Sequence, residues 1–453
     1  MYIEEIPWRS PLAAYAPFVG EPDAHLLHAG EKAEAPGWSV IVARPGKRLT
    51  VRNGVAFVDG ASVAQAPFDA LADIMKSRAF SWGDGCYDID APFFSGAVGF
   101  VGYEMGGGLE PSAKGPASLT PFPDMVFGFY DCAMLFDRAA KKSFVVSKDP
   151  IPRNFFDRAP AKGNTDPTSP VTFQSNLTKA AYEDAVSIVI ARILDGDIFQ
   201  ANISQRLRAQ ADNMRPFDVY QRLSAKSDAR FGSYLQYTDG AILSNSPERF
   251  FSIVKRGSFL DIRTEPIKGT RPRGSTPEED RAFAAALLND EKDRAENIMI
   301  ADLMRNDLSR ICIDDSITED ELCSLVSYAS VHHMVSVISG ILREGLSAVD
   351  ALKALFPCGS ITGAPKIEAM RLIAEIEKEG RGPYCGAIGY IDDRGGADFS
   401  VAIRTMTATR NSDGVELTLP VGGGVTRLSD PEMEYEETLV KARSFSRALL
   451  VST

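Results

Sequence analysis

Along the first 147 residues, short apolar runs alternate with turn residues. The runs at 39–43, 55–58, 96–103, 125–130 and 143–147 each have the length and bounding residues of a strand. From 148 to 175 the chain turns to Pro, Asp, Asn, Thr and Ser, the composition of a linker or an exposed excursion. Beyond it the apolar period lengthens. The spacing predicts an amphipathic helix over 178–194, with Ala181, Ala185, Ile188, Val189 and Leu194 on one side. A second helix is expected to open at Thr276, with Pro277 at the first helical position and Glu279 completing a capping box. It should run past Asn289, break near there and resume through Met304. A third begins at Asp430 and Pro431 and continues to the C-terminus. Between these helices, 240–244, 250–254, 386–391, 399–409 and 416–421 read as strands in hairpin-like succession. Strands outnumber helices, so the pattern favours an α+β fold with antiparallel sheets over a doubly wound parallel sheet. The expected organisation is a strand-rich N-terminal subdomain (1–147), a linker (148–175) and a catalytic region (176–453).

Composition narrows the class. Over 453 residues, 49 Lys and Arg stand against 61 Asp and Glu, a formal charge of −12. That balance argues against a nucleic-acid binder, while a small pocket can still be locally positive and take an anion. No run approaches the length of a membrane span. MYIEEIPWRS has no basic stretch followed by an apolar one, so no secretory signal is expected. Six cysteines without a CxxC pair read as reduced, packed thiols of a cytoplasmic protein. Four histidines are too few for a His-rich zinc centre.

Five segments carry candidate chemistry. EPIKGTRPRG (265–274) reads either as a basic surface turn with Lys268 on an exposed crest, or as a lysine presented to an anion pocket. In KDRAENIMIADLMRNDLSR, Glu296, Ile300, Leu303 and Asp307 share one helical stripe. An acid there is either salt-bridged, for instance to Arg305 or Arg294, or bound to metal. Glu434, Glu437 and Lys441 share a face of the C-terminal helix, where the bland reading is a solvated Glu437–Lys441 pair. Two Glu from distant helices plus water would suit Mg²⁺. FPCGSITGAPK (356–366) leads a Gly/Ser/Thr loop into a helix, a setting that favours an anion, although it is not a P-loop. PVGGGV (420–425) places three glycines after a strand, where backbone either turns or approaches a ligand.

In the order PIKGTRPRG, AENIMIADLMRND, YASVHHMVS, FPCGSITGAPK, YCGAIGYI, FSVAIRT and GGGVTRLSDPEMEYEETLVKA, the chain resembles the chorismate-utilising enzymes. That family holds the large subunits of anthranilate synthase, aminodeoxychorismate synthase component I, and the isochorismate and salicylate synthases. The resemblance is specific from about residue 179 onward and looser through HLLHAG and FSGAVGFVGYE upstream. It implies two facing antiparallel sheets with helices outside and an Mg²⁺-dependent chorismate pocket. By resemblance, Glu296 and Glu437 hold Mg²⁺ with Glu434 in or beside its shell. Gly422, Gly423, Gly424 and the hydroxyl of Ser360 or Thr362 support the ring carboxylate, and Tyr384 and Arg404 take the enolpyruvyl carboxylate. Glu248 is implied as general acid, Lys268 as a nucleophile that needs its neutral amine, and His333 as the histidine near the ring, with His332 a packed neighbour. Arg271 and Arg273 are the cations expected to favour that neutral amine. Gln200 stands where water-using members carry a water-activating lysine, which implies ammonia as the co-substrate. Lys268, where anthranilate synthases show alanine, is the mark of the branch that makes 4-amino-4-deoxychorismate for p-aminobenzoate and folate. Ammonia is expected from a separate glutamine amidotransferase subunit, since no such signature is visible in the chain. HLLHAG matches a tryptophan site of relatives, with Ala29 where they have Ser. The alternatives are anthranilate formation with loss of pyruvate, and a catalytically silent binding protein on the same scaffold.

Overall fold

GAVGFV (Gly96–Val101) and MVFGFY (Met125–Tyr130) are buried at every position. An antiparallel strand with one face in water would alternate, so these are central strands covered on both sides. The computed structural model, which describes residues 2–30, 37–79, 89–150, 171–212, 214–227 and 229–449, shows what covers them. Two large sheets face each other, and helices pack outside.

The first sheet runs Tyr2–Ile6, Lys142–Ser147, Cys132–Asp137, Trp38–Val42, His25–Leu27, Phe231–Tyr237, Gly240–Ser246, Thr405–Asn411, Gly414–Val425, Gln200–Ala211 and Gln174–Ser175. The second runs Ile267–Pro272, Val331–Ile341, Phe259–Glu265, Arg249–Arg256, Ala397–Val401, Ala387–Asp392, Gly96–Val101, Met125–Tyr130, Lys47–Arg52, Val55–Val58 and Ala61–Ser62. The ladders are antiparallel, as the hairpin-like succession of strands predicts. Strands from both sides of the 148–175 stretch enter each sheet; residues 151–170, where the linker is expected, lie outside the described residues.

On the outer face of the second sheet, Phe68, Leu71, Ile300, Met304 and Leu352 of helices Pro67–Arg78, Glu291–Ser309 and Ala348–Leu355 join one core. On the outer face of the first sheet, Phe217, Tyr220 and Phe445 of Pro216–Lys226 and Pro431–Ala448 do the same. Each such side chain contributes about 1.5–3 kcal/mol by leaving water. No helix among the described residues is long and apolar enough to cross a membrane. Cys132, Cys312, Cys323, Cys358 and Cys385 are free thiols, and Cys86 lies outside the described residues.

The helix signals act as read, with local corrections. Thr178, Thr276 and Asp430 each cap a helix by accepting a backbone N–H, and Pro277 and Pro431 occupy first-turn positions. The Glu279 carboxylate, however, accepts from Ser275 N rather than closing the box on Thr276. The predicted break after 288 is present, and the second piece extends to Ser309. In Lys179–Leu194 the buried residues are Tyr182, Ala185, Val186 and Val189, whereas Ile188 and Leu194 are exposed. The helix turns Tyr182 inward, where its hydroxyl reaches Ile203 O. The expected strand over 399–409 is two strands, Ala397–Val401 in the second sheet and Thr405–Asn411 in the first.

Candidate active site

That last correction matters for chemistry. The chain passes from the second sheet to the first at 402–404, and Arg404 sits at this crossover with φ 50°. It passes the other way between Gly240–Ser246 and Arg249–Arg256, and Glu248 sits at that crossover. The two crossovers are tied together: Val401 N donates to Glu248 O at 3.1 Å, and Ser246 Oγ to Val401 O at 2.6 Å. Both side chains therefore point into the space between the sheets. There a cavity of about 480 Å³ opens, lined by Glu248, Lys268, Glu296, His333, Ser360, Tyr384, Arg404, Gly422, Gly423, Gly424, Glu434 and Glu437.

Lys268 is not on an exposed crest. It lies on the edge strand Ile267–Pro272, where the pairing with Val331–Ile341 slips between Ile267 and Thr270. Such a bulge re-aims a side chain, and Gly269 at φ +82° takes up the backbone turn. A Cβ on Gly269 would stand 2.8 Å from Leu287 and 3.0 Å from Asp293, so the helices pack directly on this bulge. Arg271 is held by Asp290 (2.8 Å) and Asp293 (2.9 Å), and Arg273 by Asp280 (2.7 Å). Neither is a bare cation beside Lys268, contrary to the sequence expectation.

Ser360 joins two of the candidate residues. Its carbonyl accepts from Lys268 Nζ at 3.2 Å, and its hydroxyl donates to Glu248 Oε1 at 2.6 Å. Burial pushes the Glu248 carboxyl up to about 6, against the lowering effect of the Ser360 bond and of Lys268. A carboxylic acid poised near neutrality can give up a proton in the working range. His333 Nδ1 is 2.9 Å from Thr270 Oγ1, and the ring stands edge-on to Tyr328. His332 is bonded to Ser327 and Asp280 on the outer side, a packed neighbour as expected. Arg404 lines the cavity; its carbonyl accepts from Asn245 N at 2.9 Å, while its guanidinium has no hydrogen bond or ion pair among the described residues and lies next to Tyr384, whose burial keeps its hydroxyl protonated.

The acids at the mouth come from two helices. Glu296 accepts from Thr426 Oγ1 at 3.3 Å and lies 3.9 Å from Lys292. Glu434 accepts from Ser429 Oγ at 2.7 Å, and Glu437 pairs with Lys441 at 2.7 Å. Burial raises Glu296 and Glu434; burial also acts on Glu437, but the charges of Lys441, Lys292 and Arg404 together outweigh it and the pKa falls. A Cβ on Gly423 would sit 2.8 Å from Glu434 Oε2 and 4.0 Å from Glu437 Oε1, so the glycine opens a cradle in front of both carboxylates. Among the described residues no three acids, His or Cys converge into a ready-made metal cluster. The donor set of separate carboxylates facing a wet cavity fits a hard cation that keeps its waters and meets a substrate oxygen.

Two sequence candidates stand back from the cavity. Thr362 is buried and donates to Cys358 O at 2.9 Å. Gln200 is fully buried behind Gly424, with neither amide atom hydrogen-bonded. A Cβ at Gly424 would lie 3.1 Å from its Nε2 and 3.2 Å from Lys268 Nζ. Lys292 and Asp293 line the cavity without having been singled out as site residues. For Lys292 a signal existed, its i,i+4 spacing to Glu296. Asp307 pairs with Lys366 at 2.6 Å, and Arg305 pairs with Asp302.

Known proteins match the chain along nearly its whole length. The chorismate binding enzyme family model matches residues 24–447. Aminodeoxychorismate synthase component 1 of Salmonella typhimurium is 37% identical, over 96% of this chain and 95% of its own length. Its Escherichia coli K12 counterpart is 35% identical, over 94% and 93%. Anthranilate synthase component I of Streptococcus pneumoniae superposes with a TM-score of 0.77 at 32% identity, covering 92% of this chain and 93% of that one. A sandwich whose two sheet crossovers deliver an acid and a free guanidinium to one cavity, matched by family and by fold along nearly its whole length, belongs to the chorismate binding enzymes.

Proposed function

We propose that this chain aminates chorismate with ammonia to 4-amino-4-deoxychorismate, keeping the pyruvyl ether. The observation that carries the reading is Ser360, which ties the Lys268 amine and the Glu248 carboxyl to one residue inside the cavity. Chorismate is a dianion. The Arg404 guanidinium, without a hydrogen bond or ion pair among the described residues, offers a fork to the enolpyruvyl carboxylate, with the Tyr384 hydroxyl beside it. The ring carboxylate then lies toward Gly422, Gly423 and Gly424. Glu296 and Glu437, with Glu434 beside them, would hold Mg²⁺, which supplies the counter-charge for that carboxylate.

In the first half-reaction neutral Lys268 Nζ adds at C2, and both ring double bonds shift, C1=C2 to C1=C6 and C5=C6 to C4=C5. The C4–O bond breaks, and the hydroxyl leaves as water with the Glu248 proton. Ammonia then adds at C4, both double bonds return to C1=C2 and C5=C6, and the lysine amine is expelled from C2. Position is what Lys268 contributes, since a held amine replaces a bimolecular encounter. A glutamine amidotransferase subunit would deliver the ammonia, because the relatives carry the name component 1. p-Aminobenzoate and folate formation would consume the product.

Anthranilate formation is the second reading, favoured by the likeness to the Streptococcus pneumoniae protein. The deciding measurement is the product formed from chorismate, Mg²⁺ and ammonium. An aminated product with its enolpyruvyl group intact is expected. Fluorescent anthranilate with one pyruvate per turnover would overturn the proposal.

A further inference from the structure

Behind the cavity wall lies a buried ion pair with no place in the chemistry above. Arg381 and Glu377 are 1% and 2% exposed. Arg381 Nε donates to Glu377 Oε2 at 3.0 Å and Nη2 to Oε1 at 2.7 Å. The remaining donors go to backbone: Nη2 to Asn202 O at 2.6 Å and Nη1 to Ile361 O at 3.4 Å. Glu377 also accepts from Ser204 N and Oγ at 2.9 and 2.8 Å and, more loosely, from the buried Arg206 Nη2 at 3.4 Å. The guanidinium face stacks over Tyr103, 4.7 Å from the ring centroid.

A buried pair of this kind gains little net stability, because desolvation of both charges offsets their attraction. Its geometry, however, reaches the site from two sides. Asn202 and Ile361 both line the cavity, and Ile361 follows Ser360, the residue that contacts Lys268 and Glu248. Arg381 also begins the turn that carries Tyr384, with Arg381 N and Gly382 N both donating to the Glu104 carboxylate.

We propose that Arg381, clamped by Glu377, is a positioning residue that holds the 359–362 loop against strand Gln200–Ala211 and so sets the Ser360–Glu248 contact on which proton delivery depends. The proposal rests on the reading of Glu248 as the acid but names a different residue and a different means. Lysine cannot substitute, since one ammonium cannot form the bidentate pair and reach both carbonyls. With the loop released, Ser360 no longer steadies the ionised carboxyl. The groups facing Glu248 are Ser360 and Cys358 on that loop, Lys268 on the edge strand and Cys385 beside Tyr384. The Ser360 contact is tied to Arg381 through Ile361, while Cys385 feels the Arg381 charge directly, a charge that Arg381→Lys retains.

The test is an infrared pH titration of the Glu248 carboxyl in the full chain without substrate, assigned by its loss in Glu248→Gln. The wild type should titrate near 6. Arg381→Lys and Ser360→Ala should each move the midpoint upward by about half a pH unit or more. The double variant should move it no further than Ser360→Ala alone. Should Arg381→Lys misfold, Arg381→Gln, which leaves Glu377 paired with Arg206, should show the same shift. In a partly unfolded protein the exposed carboxyl titrates near its ordinary 4.5, which moves the apparent midpoint down and not up, so a merely structural role does not imitate the result. An unmoved midpoint, or shifts that add in the double variant, overturns the proposal. No turnover is involved, so a chain found to make anthranilate would sink the amination reading and leave this inference standing.

Discussion

The same two sheets are filled in opposite ways at their two ends. Toward the N-terminal strands, Phe100, Val126 and Ile388 of the second sheet meet Leu235, Tyr237 and Ile242 of the first in one apolar cluster. Phe100, Phe122 and Tyr237 stack edge to face there, with centroids 5.7–6.5 Å apart. At the other end the facing positions are Asn202, Gly422, Gly423, Gly424 and His333, and the sheets leave a cavity. Aromatic side chains span the gap of about 10 Å between packed sheets; glycines and short polar residues do not. One architecture thus supplies a rigid clamp at one end and a solvent-filled site at the other, and the clamp bears the stability that the site forgoes.

Substitutions at the two ends should therefore separate activity from stability. The largest effect is expected at Lys268. Lys268→Ala should slow amination by at least about 10³-fold with an unchanged melting temperature, read by steady-state kinetics beside thermal denaturation. Lys268→Arg should fare little better, because guanidinium stays protonated and cannot attack. Near-normal turnover in Lys268→Arg would reduce the lysine to a charge in an anion pocket. At the sealed end, Phe100→Ala should cost about 3 kcal/mol in denaturant unfolding and leave kcat per folded molecule unchanged. Loss of kcat with full stability would erase the contrast between the ends.

Smaller effects refine it. Gly423→Ala puts a methyl group against Glu434 and in front of Glu437. The Mg²⁺ concentration giving half-maximal activity should rise roughly tenfold, with kcat at saturating metal and the unfolding midpoint preserved. An unaltered metal dependence would separate the Gly423 cradle from the cation. The smallest effect concerns His25, fully buried at the sealed end. Burial, with Arg48 nearby and against a backbone bond to Ala24, lowers its pKa to about 3. Between the ordinary value of 6.5 and about 3 the unfolded chain holds the extra proton. Stability contributed by the neutral ring is full above 6.5 and falls with acid by about 1.4 kcal/mol per pH unit. His25→Leu should flatten that part of the stability–pH curve; an equal slope in both proteins would place the acid sensitivity elsewhere.

Much of this contrast is legible along the chain. Caps at Thr178, Thr276 and Asp430 work through neighbours within three residues, so their signals need no fold to be read. The motifs around Lys268, Glu296, Ser360 and Glu437 lie far apart in sequence, yet each keeps its own local spelling, which is why a family likeness could name them as a set. Where inference from spacing alone failed, a distant partner had decided the outcome. Ile188 and Leu194 lost their expected burial to Tyr182 and Val186, because strand Gln200–Ala211 presents Ile203 O to that face.

Periodicity and capping, which act over a single turn or strand, are determined by the sequence itself, as are the acidic balance and the residue types available for chemistry. Only the tertiary structure decided where those residues meet. The run 399–409 reads as one apolar strand, and nothing local marks the passage between sheets at 402–404 that turns Arg404 inward. Nor does the segment EPIKGTRPRG announce the bulge that aims Lys268 at Ser360, since that slip exists only against Val331–Ile341. Gln200 and Thr362 look equal to their neighbours in sequence, and the pairing of Gln200–Ala364 withdraws both behind the wall. The physical reason is common to all of these. A side chain's direction in a sheet follows from register and from which sheet the strand joins, and both are fixed by partners hundreds of residues away.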